Sequence, residues 1–379
     1  MIPKRVYTKI NLDNIQKNIQ TVRQKFGDDM IVMGIVKANG YGHGAVEVAK
    51  ALVEFGAGML GVAAIDEAVE LRENGIYAPI LILGQIFRQD YETAILSDVT
   101  CTVVDIVTAR GLSQKAIELG KVAKIHIKID TGMGRIGFQP DENGENDIKS
   151  IFDLPNLQID GAFTHFANAD SKDKTSANSQ KEKFLKFTDK LISEGYNFPI
   201  RHMYNSASAM ELEGYAGELV RCGIMLYGLY PSEEMSKEYK LYPALEFKSS
   251  VSFVKSVKKG FTVSYGSTYV AEKDMKIATV PAGYGDGYPR YLSNKGEVLI
   301  HGTRCKILGR VCMDQFMVDV SHLDNIQIAD EVTLIGTDGN ETITVEDVSD
   351  GEYRFNYEFC CLITPRVPRI YIKDNKVIE

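Results

Sequence analysis

The chain has 379 residues, 44% apolar and 25% charged, which is the balance of a soluble globular protein long enough for two domains. Its formal charge of −8 argues against nucleic acid or an anionic membrane as partner. No apolar run approaches the ~18 residues of a spanning helix, and Met1–Ile10 lacks a signal-peptide core, so a cytoplasmic protein without a membrane partner is expected. The six cysteines (Cys101, Cys222, Cys305, Cys312, Cys360, Cys361) form no C-x-x-C pair and no zinc-like spacing with the six histidines. Reduced thiols and no metal are expected.

Taken in order, the chain alternates between strand-like and helix-like stretches. Ile31–Val36 is a near-continuous apolar run that reads as a buried strand, and Lys37 follows at once. A glycine-rich turn (Asn39, Gly40, Gly42, Gly44) with Tyr41 inside it comes next. A helix follows, with Ala45, Val48, Ala49, Leu52 and Val53 at helical spacing. A second strand is expected over Met59–Ile65, then a helix capped by Asp66 and ended by Gly75. Further strands are predicted at Pro79–Leu83, Val99–Val104, Lys124–Ile129, Leu157–Phe163, His202–Tyr204 and near Glu218–Val220, with a long helix over Asn178–Ser193. Eight short strands separated by helical segments predict an α/β fold, an N-terminal (β/α)8 TIM-like barrel, with a doubly wound sheet as the alternative. From Leu245 the pattern turns to β-branched alternation with no convincing helical period, so an all-β C-terminal domain is expected. The boundary falls in the polar stretch Pro231–Lys240, giving domains 12–235 and 236–379. The alternating Val6–Leu12 lets residues 1–11 add a strand to the second domain.

In a parallel barrel, chemistry is placed at the carboxyl ends of the strands. Lys37 would sit there as an amine held by rigid backbone. The stretch Lys128–Arg135 follows the fifth strand, and its glycines let backbone approach a ligand while Arg135 faces the mouth. His165 leaves the sixth strand, Asn205–Ser208 follows the seventh and opens a helix, and Arg221–Ile224 follows the eighth. Backbone amides and a helix start after strands seven and eight suit an anion, with Ser206, Gly223 and Ile224 as donors. Singly, Ser206 reads as a helix cap, Gly223 as a turn and Lys37 as a surface lysine. Together they point to a phosphorylated aldehyde cofactor held at one end by a Schiff base and at the other by a phosphate cradle.

VKANGYGHG at Val36–Gly44 is similar to the cofactor-lysine motif of alanine racemases, VKANAYGHG. KIDTGMGRIGF, HMYNSA, RCGIMLYG, VSYGSTY, GYGDGY and CMDQFMVDV resemble their counterparts in the same order, across nearly the whole chain. The resemblance implies a barrel plus a β domain, pyridoxal 5'-phosphate as cofactor and an amino-acid substrate. It also implies a head-to-tail homodimer in which the β domain of one chain completes the site of the other. Lys37 would carry the cofactor and act as base toward D-alanine, and Tyr265 from the partner chain would act as base toward L-alanine. Arg221 would pair with the pyridine nitrogen, and His165 would pack by the ring. Tyr41, Ser206, Gly223 and Ile224 would bind phosphate, with Asn205 in the same cofactor-binding motif. Arg135 and the partner's Met313–Asp314 would orient the substrate, and Lys128 matches a position that can be carbamylated. D-Alanine for peptidoglycan is the product the family implies.

The chemistry explains these residue types. Inverting a carbon acid needs an acid/base on each face, since one base returns the proton to the face it came from. Amines and phenols ordinarily titrate near ~10, so neighbouring cations are needed to bring them into use near neutrality. One departure stands out: where many members read SYRVPR, this chain has Thr364–Arg369 as TPRVPR, with Pro365 in place of the tyrosine. A pocket of shifted or broader specificity that admits serine is therefore an alternative to alanine. A decarboxylase of basic amino acids on the same architecture is a more distant one.

Overall fold

The computed structural model describes residues 5–214, 217–349 and 355–378. The chain forms two compact units. One comprises Asn14–Gly40 and Gly44–Tyr242, the other Met1–Asp13, Tyr41–His43 and Pro243–Glu379.

After β1 (Val6–Asn11), which belongs to the second unit, come eight parallel strands. They are β2 (Ile31–Ile35), β3 (Met59–Val62), β4 (Ile80–Gln85), β5 (Thr100–Val103), β6 (Ala123–Lys128), β7 (Leu157–Phe163), β8 (Ile200–His202) and β9 (Leu219–Cys222). Each pairs with the next from β2 to β8, and β9 returns to the far side of β2, so Met33 faces both Met59 and Arg221. Between β8 and β9 there is no registered ladder. Two backbone bonds of 3.1 Å, Glu218 N to Arg201 O and Arg221 N to Tyr204 O, bring their edges together. The sheet is thus a nearly closed barrel, and its neighbour order excludes the doubly wound alternative.

The barrel strands read as apolar runs because they are covered on both faces: Val32, Met33, Leu60, Ile80, Leu81, Ile125 and Ile127 are all buried. Side chains set the helix starts between them. Asp105 accepts from Thr108 N at 2.7 Å, and Asp141 accepts from Gly144 N at 2.9 Å.

Several boundaries differ from the sequence reading. The strand expected to reach Ile65 stops at Val62, and the helix Ile65–Glu73 begins there, with Ala64 at the cap position and Asp66 inside the first turn. The carboxylate of Glu67 takes the amides of Ala63 (2.7 Å) and Ala64 (3.3 Å) and makes a cap from Asp66 unnecessary. Strand β8 ends at His202, two residues before the expected Tyr204, because Asn205 already caps the next helix. Val53, read among the apolar positions at helical spacing, lies in the helix Ala45–Glu54 but is 37% exposed.

The second unit is built on a mostly antiparallel sheet. Its strand β10 (Leu245–Ser250) pairs antiparallel with β1, Ile10 opposite Leu245, and β1 pairs in parallel with Arg369–Lys373. A two-stranded ribbon, Thr262–Val263 with Tyr269–Val270, sits beside a cluster of Val257, Val263, Ala271, Met275, Ile277 and Leu308. Two short helices, Val345–Val348 and Asn356–Cys361, interrupt the β pattern. Neither is long enough to write a helical period into the sequence. Among the described residues, no helix is long and apolar enough to cross a membrane.

Candidate active site

Lys37 leaves β2 half-buried, and the backbone after it turns the unusual way. Ala38, Asn39 and Gly40 have φ/ψ near 51/50°, 53/49° and 60/44°, and Tyr41 continues at φ 51°. Successive residues in this region make a left-handed helical turn, which L-residues avoid because Cβ crowds the next carbonyl. Local bonds hold it. Ala38 N donates to Glu67 Oε1 at 2.6 Å, Gly40 N to Val36 O at 2.8 Å, and Ala45 N to Asn39 Oδ1 at 2.9 Å.

Arg221, at the end of β9 and buried, organises the centre of the barrel mouth. Its Nη1 donates to His202 Nδ1 (2.9 Å). Its Nη2 reaches Thr164 O (2.8 Å), Met203 O (3.0 Å) and His165 Nδ1 (3.2 Å). Guanidinium only donates, so His202 Nδ1 and His165 Nδ1 are acceptors and each ring carries its proton on Nε2. His202 Nε2 then donates to His126 Nδ1, 2.9 Å away, which puts the proton of His126 on its own Nε2. Burial, reinforced by the charge of Arg221, keeps all three rings neutral: His126 falls to about 3, and His165 and His202 well below the ordinary 6.5.

The side chains of Arg221, Lys128, Arg135 and Lys37 surround the imidazole of His165. Lys128, at the end of β6, is buried with Nζ 4.2 Å from the centre of the Phe163 ring. Burial first, then Arg221 and Arg135, pushes its amine well below the usual lysine range. The loop carrying Arg135 is folded around Asp130, which accepts from the amides of Gly132 (3.0 Å), Gly134 (3.0 Å) and Arg135 (2.8 Å). Arg135 itself is exposed.

After β8, Asn205 caps the helix Ser206–Glu211 through Ser208 N at 3.0 Å, so its side-chain oxygen is engaged in the turn. The hydroxyl of Ser206 accepts from Gly223 N at 2.9 Å, joining this helix start to the 3-10 turn Ile224–Tyr227 after β9. The mouth therefore gathers the amines of Lys37 and Lys128, two guanidinium groups, a hydroxyl and amide-bearing turns, with the imidazoles held neutral. This donor set fits a phosphorylated aldehyde. The guanidinium groups suit its negative charge, and the strand-end amine of Lys37 suits its carbonyl.

The remaining expected site residues lie in the β unit. Tyr41 is buried, with its ring 6.0 Å from that of Tyr357. Tyr265, read from alternation as part of a strand, lies instead in the tight turn Tyr265–Ser267 at the tip of the ribbon and is 71% exposed. Positive φ at Ser264, Gly266 and Ser267 breaks the strand there. The hydroxyl of Ser264 donates to Arg310 O at 2.7 Å and lies 3.5 Å from Cys312 Sγ, tying this turn to the segment that bears Met313 and Asp314. Met313 is exposed, Asp314 is held by Arg366 Nη2 at 2.7 Å, and Cys312 is half-buried.

Sequence reasoning missed Glu67, Arg366 and Arg369. Glu67 touches the lysine loop through Ala38 N. Arg366 bridges Asp314 to the fully buried Asp286, and Arg369 binds Gly42 O through Nε and Nη2, both at 3.1 Å. TPRVPR offered two arginines, each directly after a proline. Without the contacts, only their positions were visible.

The family model described as alanine racemase, N-terminal domain, matches residues 10–231, and that described as alanine racemase, C-terminal domain, matches residues 244–371. The chain is 47% identical to the alanine racemase of Clostridium perfringens (strain SM101 / Type A), over 99% of this chain and 97% of that one. It is 43% identical to the alanine racemase of Methanococcus maripaludis, over 98% of this chain and the whole of that one. A solved structure of alanine racemase from Clostridium difficile 630 superposes with a TM-score of 0.95 at 38% identity, covering 100% of this chain and 98% of that one.

Proposed function

The chain belongs to the alanine racemase family, and on that premise we propose that it interconverts L- and D-alanine with pyridoxal 5'-phosphate. The observation that carries the reading is the barrel mouth, where Lys37 leaves β2, Arg221 on β9 holds the rings of His165 and His202, and the Ser206 hydroxyl meets the Gly223 amide. Bound pyridoxal phosphate supplies the electron sink that makes the Cα–H of an attached amino acid acidic. Lys37 would hold its aldehyde end. Tyr41, Ser206 and the amides of Gly223 and Ile224 would hold its phosphate, with Asn205 fixing the Ser206 turn. Arg221 would face the ring nitrogen, and its fixed charge would leave that nitrogen without a proton. His165 would lie by the ring.

Lys37 Nζ moves the proton on the face used by D-alanine, and Oη of the partner subunit's Tyr265 moves it on the face used by L-alanine. Exposure of Tyr265 in its own chain supports a role completed by a second copy. Arg135, with Met313 and Asp314 of the partner subunit, orients the substrate carboxylate. The depressed Lys128 amine can add carbon dioxide, forming an N–C bond and releasing a proton. The resulting carbamate would accept a charge-assisted hydrogen bond from Arg135. A homodimer in the cytoplasm is the setting this reading requires.

Chiral chromatography after incubating the cofactor-loaded protein with single L-amino acids tests it. The panel is alanine, serine, lysine and arginine. D-Alanine is expected to form fastest. A greater rate with serine would move the substrate assignment toward the pocket change at Pro365. No D-product from any of them, despite bound cofactor, would end the racemase reading.

A further inference from the structure

We propose that Arg369 is a positioning residue for the cofactor loop, an inference that rests on the functional reading above. A left-handed turn such as Ala38–Tyr41 persists only where its surroundings over-determine it. At its near end the bonds from Ala38 N to Glu67 and from Gly40 N to Val36 O do so. At its far end the work falls to Gly42, which has φ +79° and whose carbonyl accepts from both Nε and Nη2 of Arg369 at 3.1 Å.

The same guanidinium donates to Ile363 O (2.8 Å), Thr364 O (2.8 Å) and Val367 O (2.7 Å). One planar fork therefore joins the residue after Tyr41 to a turn already closed on itself. Packing enforces the same placement independently, since a Cβ on Gly42 would lie 1.9 Å from Cys360 O. His43 adds a third restraint, with Nδ1 2.9 Å from Tyr41 O. A lysine at position 369 keeps the charge but lacks the fork that reaches acceptors on both sides. Without Arg369 the Gly42 carbonyl loses both side-chain donors and the turn relaxes. Lys37 and Tyr41, at its two ends, then no longer present fixed positions to the cofactor.

The test uses Arg369→Lys and Arg369→Met in the full chain, with Gly42→Ala as a probe from the opposite side of the contact. Two quantities are read on folded protein. One is the Kd for pyridoxal phosphate after the cofactor is stripped and returned, and the other is hydrogen exchange of amides 38–44. Arg369→Met is expected to raise Kd about tenfold or more, the scale of a lost charge-assisted hydrogen bond. Arg369→Lys should fall between it and wild type, and Gly42→Ala should shift in the same direction. Exchange at the Gly40 and Gly44 amides should quicken in all three.

A merely structural role would lower Tm and leave Kd and loop exchange at wild-type values, and that result overturns the assignment. Should Arg369→Met not fold, Arg369→Lys decides by the same two readings. Borohydride reduction and peptide mass on wild-type protein keep the two claims apart. Failure to label Lys37 sinks the functional reading, whereas labelled wild type with unchanged variants sinks only the role of Arg369.

Discussion

Arg221 can only donate, and at the scale of single residues that one property sets the proton of each imidazole around it. Four of its acceptors, two ring nitrogens and two carbonyls, lie in the fixed directions of a guanidinium fork. Lysine can meet at most three of them and in a different geometry, leaving buried acceptors unpaired. Arg221→Lys is therefore expected to destabilise the chain by about 3 kcal/mol in urea unfolding. A loss below about 1 kcal/mol would mean that water replaces the missing donors. The sequence placed Arg221 at a strand end but gave no sign of this chain of rings. His126 and His202 lie on β6 and β8, and their meeting depends on β7 passing between them. Contacts of that kind are properties of barrel registration and leave no local pattern.

Among the elements, the barrel strands were legible because burial on both faces writes continuous apolar runs. Their ends were not, because the mouth is polar and there the hydrophobic signal fades into caps and turns. VKANGYGHG signalled a turn through its glycines, yet Ala38, Asn39 and Tyr41 share the same left-handed backbone, and nothing in their side chains announces it. Tyr265 shows the opposite error: alternation suggested a strand where Ser264, Gly266 and Ser267 at positive φ build a turn.

Glycine within β7 has its own consequence. A Cβ on Gly161 would lie 2.3 Å from Ile200 O and 2.9 Å from the ring of His126, beside the point where the β6–β7 register shifts. Gly161→Ala should force β7 away from β8 and cost about 3 kcal/mol. Thermal unfolding of the cofactor-free protein measures it, and an unchanged Tm would show that the strand slides at little cost.

Across the whole molecule, the neutral imidazoles make stability depend on pH. His126 (about 3), His165 and His202 are depressed by burial first and Arg221 second, whereas in the unfolded chain each titrates near 6.5. The unfolded state therefore binds more protons below 6.5. The stabilising contribution is fully present above that value and lost as pH falls from 6.5 toward 3. Together the three should make the protein about 4 kcal/mol less stable at pH 5.5 than at pH 7.5. Urea midpoints at the two values report it, and equal midpoints would mean that the rings charge without unfolding.

The proposed sharing of sites between copies makes a second prediction at this scale. Lys37→Ala and Tyr265→Ala homodimers should each be inactive, while unfolding and remixing them should restore about a quarter of wild-type activity. In that mixture half the dimers are hybrids, each with one intact site. No recovery from verified hybrids would place both groups in one chain.

Strand β1 lies between β10 and the strand Arg369–Lys373, with Thr8 beside both Phe247 and Arg369. During synthesis β1 leaves the ribosome before any barrel strand, whereas both its neighbours emerge only after the barrel is complete. The chain must therefore keep its opening strand unpaired while eight others assemble, and pairings of such long separation are slow to form. A stalled or shortened chain would hold an exposed, β-prone edge after its barrel is finished, a natural target for chaperones and proteases.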